Sequence, residues 1–319
     1  MGSTRKLGQT EIDITPIGLG CWQFSKGRGL GGMFWPNLDQ SLIDEIVKTA
    51  LDGGISWFDT AEWYGGGASE QALAQALKAA GRKNGEVVVA TKWQPLFRFA
   101  SSIGTTIDER LRCLDGFAID LYQVHHPFSF SSARAQMEEM AYLVTSGKIR
   151  SVGVSNFGVR SMRKAHATLA EHGLPLAANQ VRYNLLDRRI EANGVLESAK
   201  ELGITIIAYS PLAQGLLSGK FHDEPDLLNR VPGLRRFLPS FSVGYLEKIQ
   251  PLVLALKDIA HDHDATASQV ALAWMTQFHG DTVVAIPGAT KVSHVAENVA
   301  AMKLVLRQDE LDAIDRLSR

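Results

Sequence analysis

Eight short apolar runs recur along the chain, each separated from the next by a longer amphipathic stretch. They cover residues 17–20, 55–59, 87–92, 121–125, 149–154, 177–181, 204–209 and 282–286. Most are continuous rather than alternating, the pattern of strands buried on both faces of a parallel sheet. The stretches between them have a helical period. Residues 40–51, for example, set Ile43, Ile46, Val47, Ala50 and Leu51 on one face, and Gly53 with Gly54 ends the run. Eight strand–helix units without a linker predict an α/β fold, one closed (β/α)8 barrel domain over residues 1–319. The main rival is an open doubly wound sheet. That fold would place GxGxxG after its first strand, where Gly18-Leu19-Gly20 runs into Cys21-Trp22 instead. Ahead of the first run, residues 5–7 and 12–15 flank 8–11 and predict a hairpin that plugs the bottom of the barrel.

Composition narrows the function classes. Thirty-three Lys and Arg against 34 Asp and Glu leave a net charge of -1, so no basic field exists to gather a nucleic acid. The two cysteines, Cys21 and Cys113, have no CxxC spacing, which argues against a disulfide framework and suits a reducing compartment. No apolar run reaches the roughly 18 to 20 residues needed to cross a bilayer. No apolar stretch follows the first charged residues, so the expectation is a cytoplasmic protein without a membrane partner. Oligomeric state is not legible.

Connections 21–38, 126–132 and 211–243 are too long for turns, and all three follow strands. In a barrel they rise on the C-terminal face, where barrel active sites lie. Polar groups stand at the same ends: Asp59 and then Tyr64, Lys92, His125, Ser155-Asn156, Gln180, Tyr209-Ser210 and Pro287-Gly288. Each has an ordinary reading alone, as a cap, a loop aromatic, a snorkelling lysine or a core histidine. Their joint placement argues for a site. A phenol with a pKa of about 10 is a weak acid near neutrality. An ammonium about 4 Å away, at an effective dielectric near 20, attracts the phenolate by about 4 kcal/mol, equal to as much as about three pKa units. The expectation is that Lys92 lowers the Tyr64 pKa, Asp59 holds Lys92 charged, and His125 polarises a carbonyl oxygen.

Five segments resemble the aldo-keto reductase superfamily, in order from about Leu7 to Asn298. They are Asp59-Thr60-Ala61-Glu62-Trp63-Tyr64-Gly65, the run from Asp120 to Pro127 (DLYQVHHP), Gly153-Val154-Ser155-Asn156-Phe157, Ala208-Tyr209-Ser210-Pro211-Leu212, and Ile286-Pro287-Gly288-Ala289 followed by Glu297-Asn298. The resemblance implies an NAD(P)H-dependent reductase of aldehydes or ketones, with Tyr64 as proton donor, His125 orienting the carbonyl, and Lys92 with Asp59 tuning the phenol. It further implies Ser155, Asn156 and Gln180 at the nicotinamide carboxamide, with Tyr209 stacked on the ring. By the same resemblance Ser210, Leu212 and Gln214 would line the pyrophosphate, and Pro287, Gly288, Ala289, Thr290, Lys291, His294, Glu297 and Asn298 would hold the adenosine end.

Trp22, Phe34, Trp35, Trp63, Trp93, His126, Phe128 and Phe130 sit in or beside the rim loops. Trp22, Trp63, Trp93 and His126 are expected at the substrate, a small carbonyl compound or alcohol. The walls are expected from the three long loops, because no long tail follows the helical stretch at 309–317. His294 occupies the place where many members of the family carry an arginine for the 2′-phosphate. Lys291 still offers a point charge there, so NADP(H) is expected in preference to NAD(H), less so above about pH 7 if a protonated His294 assists. Gly65-Gly66-Gly67 and Gly29–Gly32 lack the GK[ST] ending and are read as flexible loop. His261-Asp262-His263-Asp264 is read as a helix's polar end, with no metal. Two alternatives remain open. One is a cofactor-binding regulatory barrel subunit with little turnover; the other is a barrel enzyme for phosphorylated metabolites.

Overall fold

A computed structural model describes residues 4–29, 34–231 and 238–319. Parts of the loops at 21–38 and 211–243, and most of the glycine run at 29–32, therefore lie outside the described residues. A two-stranded antiparallel hairpin, β1 (Arg5–Lys6) and β2 (Asp13–Ile14), precedes the barrel. The barrel strands are β3 (Leu19–Gly20), β4 (Trp57–Asp59), β5 (Val88–Trp93), β6 (Ile119–Val124), β7 (Ile149–Ser155), β8 (Leu176–Arg182), β9 (Thr205–Tyr209) and β10 (Val283–Ala285). Each pairs in parallel with the next, in chain order. The ring closes where Ile17 bridges Ala285 and Gly20 bridges Gly288. The Gly18 amide donates to Ala285 O at 2.9 Å and the Ala285 amide to Pro16 O at 3.0 Å. This is the expected (β/α)8 barrel; an open sheet would leave those two edges unpaired.

Alternation along each strand sorts its side chains. Trp57, Ala90, Leu121, Ala178, Ile207 and Val284 turn inward and pack with Leu7, Ile12 and Ile14 of the hairpin, which is the plug the sequence predicts. Phe58, Val89, Tyr122, Val152, Ile206 and Val283 join the apolar shell shared with the surrounding helices. The Trp57 indole occupies the space beside Gly18, where a Cβ would fall 2.3 Å from Cε2, and its Nε1 donates to Thr15 O at 2.9 Å. Only glycine fits that position. Arg5 ties the hairpin to the last unit by donating to Val283 O at 2.7 Å and Thr276 O at 2.5 Å.

The predicted 40–51 helix is Gln40–Asp52, capped by Asp39, whose carboxylate accepts from the Leu42 amide at 2.9 Å. Its expected face is buried at Ile43, Ile46, Val47 and Ala50, and Gly54 leaves it with φ +90°. Two local features were not legible. The loop after β9 folds into short helical turns at Ala213–Ser218, Lys220–Asp223 and Pro225–Arg230, and the Val243–Asp262 helix carries Pro251 inside it. Among the described residues no helix is long and apolar enough to cross a membrane.

Candidate active site

Asp59, at the end of β4, and Lys92, on the inward face of β5, are both buried beneath the C-terminal rim. An ammonium has three protons to place, and here it has three acceptors. Lys92 Nζ donates to Asp59 Oδ1, to Thr60 O at 2.8 Å and to the Tyr64 hydroxyl at 3.4 Å. The second carboxylate oxygen, Asp59 Oδ2, accepts from Gln180 Nε2 at 2.8 Å and Gln123 Nε2 at 3.0 Å. A buried ion pair is tolerable when its remaining polar atoms are satisfied in this way. Gly153 makes room for the amides, since a Cβ there would fall 2.9 Å from Gln123 Cγ.

Tyr64 is brought back over Lys92 by the turn that follows it. Gly65, Gly66 and Gly67 take φ of +72°, +62° and +93°, and a Cβ on Gly65 would fall 2.5 Å from Ser25 O. The triplet is thus a tight turn packed on a neighbour, where the sequence suggested a flexible loop. Burial pushes the Tyr64 phenol up, Lys92 pulls it back only in part, and it rests above the ordinary phenol value. That corrects the expectation of a lowered pKa: the ammonium acts in the expected direction, and loss of water outweighs it. Burial alone would drive Lys92 down, but Asp59 and Tyr64 hold it above its ordinary value.

The His125 ring lies edge-on to Tyr64, with centroids 5.7 Å apart, and stacks on His126 at 4.6 Å. Burial, then Lys92 and His126, hold the His125 pKa well below the ordinary value, so the imidazole is neutral near pH 7. Its Nδ1 is buried without a partner. Trp22 stacks on Tyr64 with centroids 6.0 Å apart, and Trp63 meets His125 and His126 edge-on at 6.3 and 6.5 Å. Trp22 therefore lies against the phenol and Trp63 against the two histidines. Trp93, expected with them, is instead fully buried on the outward face of β5, in the shell shared with the helices, and its Nε1 donates to Ser102 Oγ at 3.1 Å. Strand alternation decides this: if Lys92 points inward, its neighbour must point out.

The residues expected to hold a dinucleotide continue around the rim. Asn156, at φ +59°, donates from Nδ2 to Ser155 Oγ at 3.0 Å and accepts from the Tyr209 hydroxyl at 3.1 Å. Beyond Tyr209, Ser210 and then Ala213, Gln214 and Gly215 take left-handed conformations, a backbone of the kind that presents successive N–H groups to an anion. Leu212 lies inside this turn. Gly288 is required by the Gln23 amide, whose Oε1 would fall 2.2 Å from a Cβ there. Pro287, Ala289 and Thr290 lead into the Val292–Ala301 helix, with Lys291 at its N-cap position and His294 in its first turn. Burial, then Lys220 and Lys291, push the His294 pKa below its ordinary value. Glu297 Oε2 accepts from Thr266 Oγ1 at 3.4 Å, and Asn298 is buried beside it in the chain. A dinucleotide fits this set: Gln214 Oε1, Gln23 Oε1 and Asn298 Nδ2 are buried polar atoms without partners.

Sequence reasoning missed Gln23, Thr60, Gln123 and Lys220. Gln123 was accessible to it, because it lies two residues before His125, whose amide continues the β6 ladder to Trp93 O, and so shares its face. Lys220 stands outside every motif. It enters only because the loop after β9 folds back, setting its Nζ 3.3 Å from where a Gly215 Cβ would stand. Both cysteines are free and buried. His263 pairs with Glu310 at 2.9 Å, and no group of three or more His, Cys, Asp or Glu gathers for a metal among the described residues.

Comparison with known proteins identifies the family. Residues 16–319 match the Aldo/keto reductase family. An uncharacterised oxidoreductase of Mycobacterium tuberculosis is 40% identical over 307 residues, 96% of this chain and 90% of that protein. A thermostable aldo-keto reductase crystallised with the inhibitor epalrestat superposes with a TM-score of 0.78 at 30% identity, over 99% of both chains. An aldo/keto reductase of Klebsiella pneumoniae, solved with NADP and acetate, gives 0.74 at 26% identity over 98% of this chain and 94% of its own. The chain belongs to the aldo/keto reductase family and is an oxidoreductase of that family.

Proposed function

We propose that this single barrel reduces aldehydes or ketones to alcohols with a nicotinamide dinucleotide, NADPH before NADH, and that Tyr64 delivers the proton. The observation that carries the proposal is the Lys92 ammonium shared between Asp59 and the Tyr64 hydroxyl, with His125 edge-on to the same phenol. When bound, the reduced dinucleotide supplies hydride to the carbonyl carbon. Tyr64 releases its hydroxyl proton to the carbonyl oxygen as charge develops there, and the C–O double bond becomes C–OH. Lys92 balances the phenolate this leaves, and Asp59 with its two amide donors fixes Lys92. Neutral His125 donates a hydrogen bond to the carbonyl oxygen, and Trp22 and Trp63 exclude water from the same side. Ser155, Asn156, Gln180 and Tyr209 would hold the nicotinamide, and Ser210 to Gln214 the pyrophosphate. Pro287 to Lys291, His294, Glu297 and Asn298 would hold the adenosine.

The preference for NADPH rests on Lys220 and Lys291, two cations close enough to His294 to lower its pKa, a pair of charges suited to a 2′-phosphate. The Klebsiella pneumoniae neighbour was solved with NADP, which supports the same reading. Fluorescence titration with NADPH and NADH, followed by a carbonyl panel, tests the whole. Tight dinucleotide binding without reduction of any carbonyl would instead describe a regulatory barrel.

A further inference from the structure

Four phenylalanines stand largely in solvent on the catalytic face: Phe97 is 76% exposed, Phe99 61%, Phe128 70% and Phe130 61%. They belong to the two loops that follow β5 and β6, the strands that carry Lys92 and lead into His125. Phe130 gathers two of the others, with ring centroids 5.3 Å from Phe99 and 6.3 Å from Phe97. Phe97 sits at φ +60°, a region that a bulky side chain rarely occupies.

The loops are built rather than loose. The Phe130 amide and Ser129 Oγ donate to Arg98 O at 3.0 and 2.8 Å, and the Ala100 amide donates to Ser131 Oγ at 2.9 Å. The one charge between Phe97 and Phe99 is drawn aside, because Arg98 Nη1 donates to Glu62 Oε1 at 2.7 Å. Glu62 also accepts from the Gln94 amide at 3.0 Å, so the ledge is fastened to the turn that carries Tyr64. Trp63, next to Glu62 in the chain, reaches His125 and His126 edge-on. The ledge is thus fastened through Glu62 to the turn whose Trp63 meets the two histidines, and Phe128 and Phe130 follow His126 in the same loop. An exposed aromatic patch of this kind marks a place that something apolar covers.

We infer that the ledge holds the hydrocarbon part of the substrate, so that the preferred carbonyl compounds carry the carbonyl at the end of a long apolar skeleton. The inference rests on the reductase reading above. The test is kcat/KM for unbranched aldehydes from three to twelve carbons with NADPH, in the parent and in Phe97→Asn/Phe130→Ser. Asparagine accepts the left-handed backbone at 97, so this variant folds without added strain. The parent is expected to gain about two- to fourfold per methylene, mostly through KM, once the chain reaches the ledge. In the variant the ratio of ten-carbon to three-carbon kcat/KM is expected to fall at least tenfold.

Binding of 1-decanol to the NADPH complex, measured by calorimetry, gives a readout without turnover. Weaker decanol binding in the variant supports the ledge even if no aldehyde is reduced, in which case only the reductase reading fails. Reduction without chain-length dependence, or an unchanged ratio in the variant, overturns the ledge and leaves the reductase reading standing. A parent dimer that the variant converts to monomer also overturns it, because the patch is then a contact between copies.

Discussion

Gln180 Nε2 donates a 2.8 Å hydrogen bond to Asp59 Oδ2, so the amide that family resemblance gives to the carboxamide is already bonded to the partner of Lys92. Gln123 joins them, donating to the same carboxylate oxygen and lying 3.3 Å from Gln180 Nε2 through its own Oε1. On the proposed function, cofactor binding and proton delivery share one buried network. Gln180→Leu removes one donor from a buried carboxylate, a loss of about 1.5 to 3 kcal/mol. It should lower the melting temperature and weaken dinucleotide binding about tenfold or more. Melts with and without NADPH check both effects, and an unchanged dissociation constant would detach Gln180 from the cofactor.

Lys92→Met should act most visibly on alcohol oxidation, which on the proposed mechanism needs the Tyr64 phenolate as base. Burial already holds the phenol above its ordinary value, and Lys92 is what lowers it. Without that charge, the phenolate fraction at pH 9 should fall about 10²- to 10³-fold, and oxidation with it. Asp59→Asn/Lys92→Met removes both buried charges and controls for folding. An oxidation profile matching the parent's would separate Lys92 from the phenol.

Outside the site, burial pushes the Glu70 carboxyl up to about 7, against the Arg110 guanidinium 2.5 Å away and the Thr91 hydroxyl at 2.6 Å. The folded protein therefore holds a proton on Glu70 that the unfolded chain has released, so this residue's contribution to stability falls as pH climbs from about 4.5 to 7. Glu70→Gln does not titrate. Its melting temperature relative to the parent should therefore rise from pH 5 to pH 8, and a constant difference would contradict the account.

Much of this was legible because barrels repeat. Continuous apolar runs marked the strands, and the polar residue at each strand's end marked the rim, which is why Asp59, Tyr64, Lys92, His125 and Ser155 to Asn156 come together as read. What failed were quantities and directions that need three dimensions. Trp93 is aromatic and next to Lys92, and only strand alternation sends it to the outer shell. The Tyr64 pKa depends on how completely the turn of three glycines buries the phenol. Lys220 reaches the turn at Gly215 through a fold-back that no local pattern announces.

The proposed cofactor preference carries a pH signature. Lys220 and Lys291 help burial push the His294 pKa below its ordinary value, so the free protein holds it neutral near pH 7. A bound dianionic phosphate would raise it again. Affinity gained from a protonated His294 is complete below the free pKa and lost as pH rises through the bound one. The window thus opens below about pH 6.5, lower than the sequence alone suggested. NADPH affinity should fall from about pH 6 to pH 8 while NADH affinity stays level, with proton uptake on NADPH binding measured by calorimetry in two buffers. Lys291→Ala should lose about tenfold for NADPH only. Equal affinities for both dinucleotides in the parent would show that this corner does not read the phosphate.

The most direct test of the central claim is Tyr64→Phe, assayed for NADPH binding and carbonyl reduction in the same preparation. The aromatic stack on Trp22 survives the change, while the hydroxyl 3.4 Å from Lys92 Nζ is gone. The account predicts an NADPH dissociation constant within about twofold of the parent's and turnover lower by about 10²- to 10⁴-fold. Turnover equal to the parent's would contradict it.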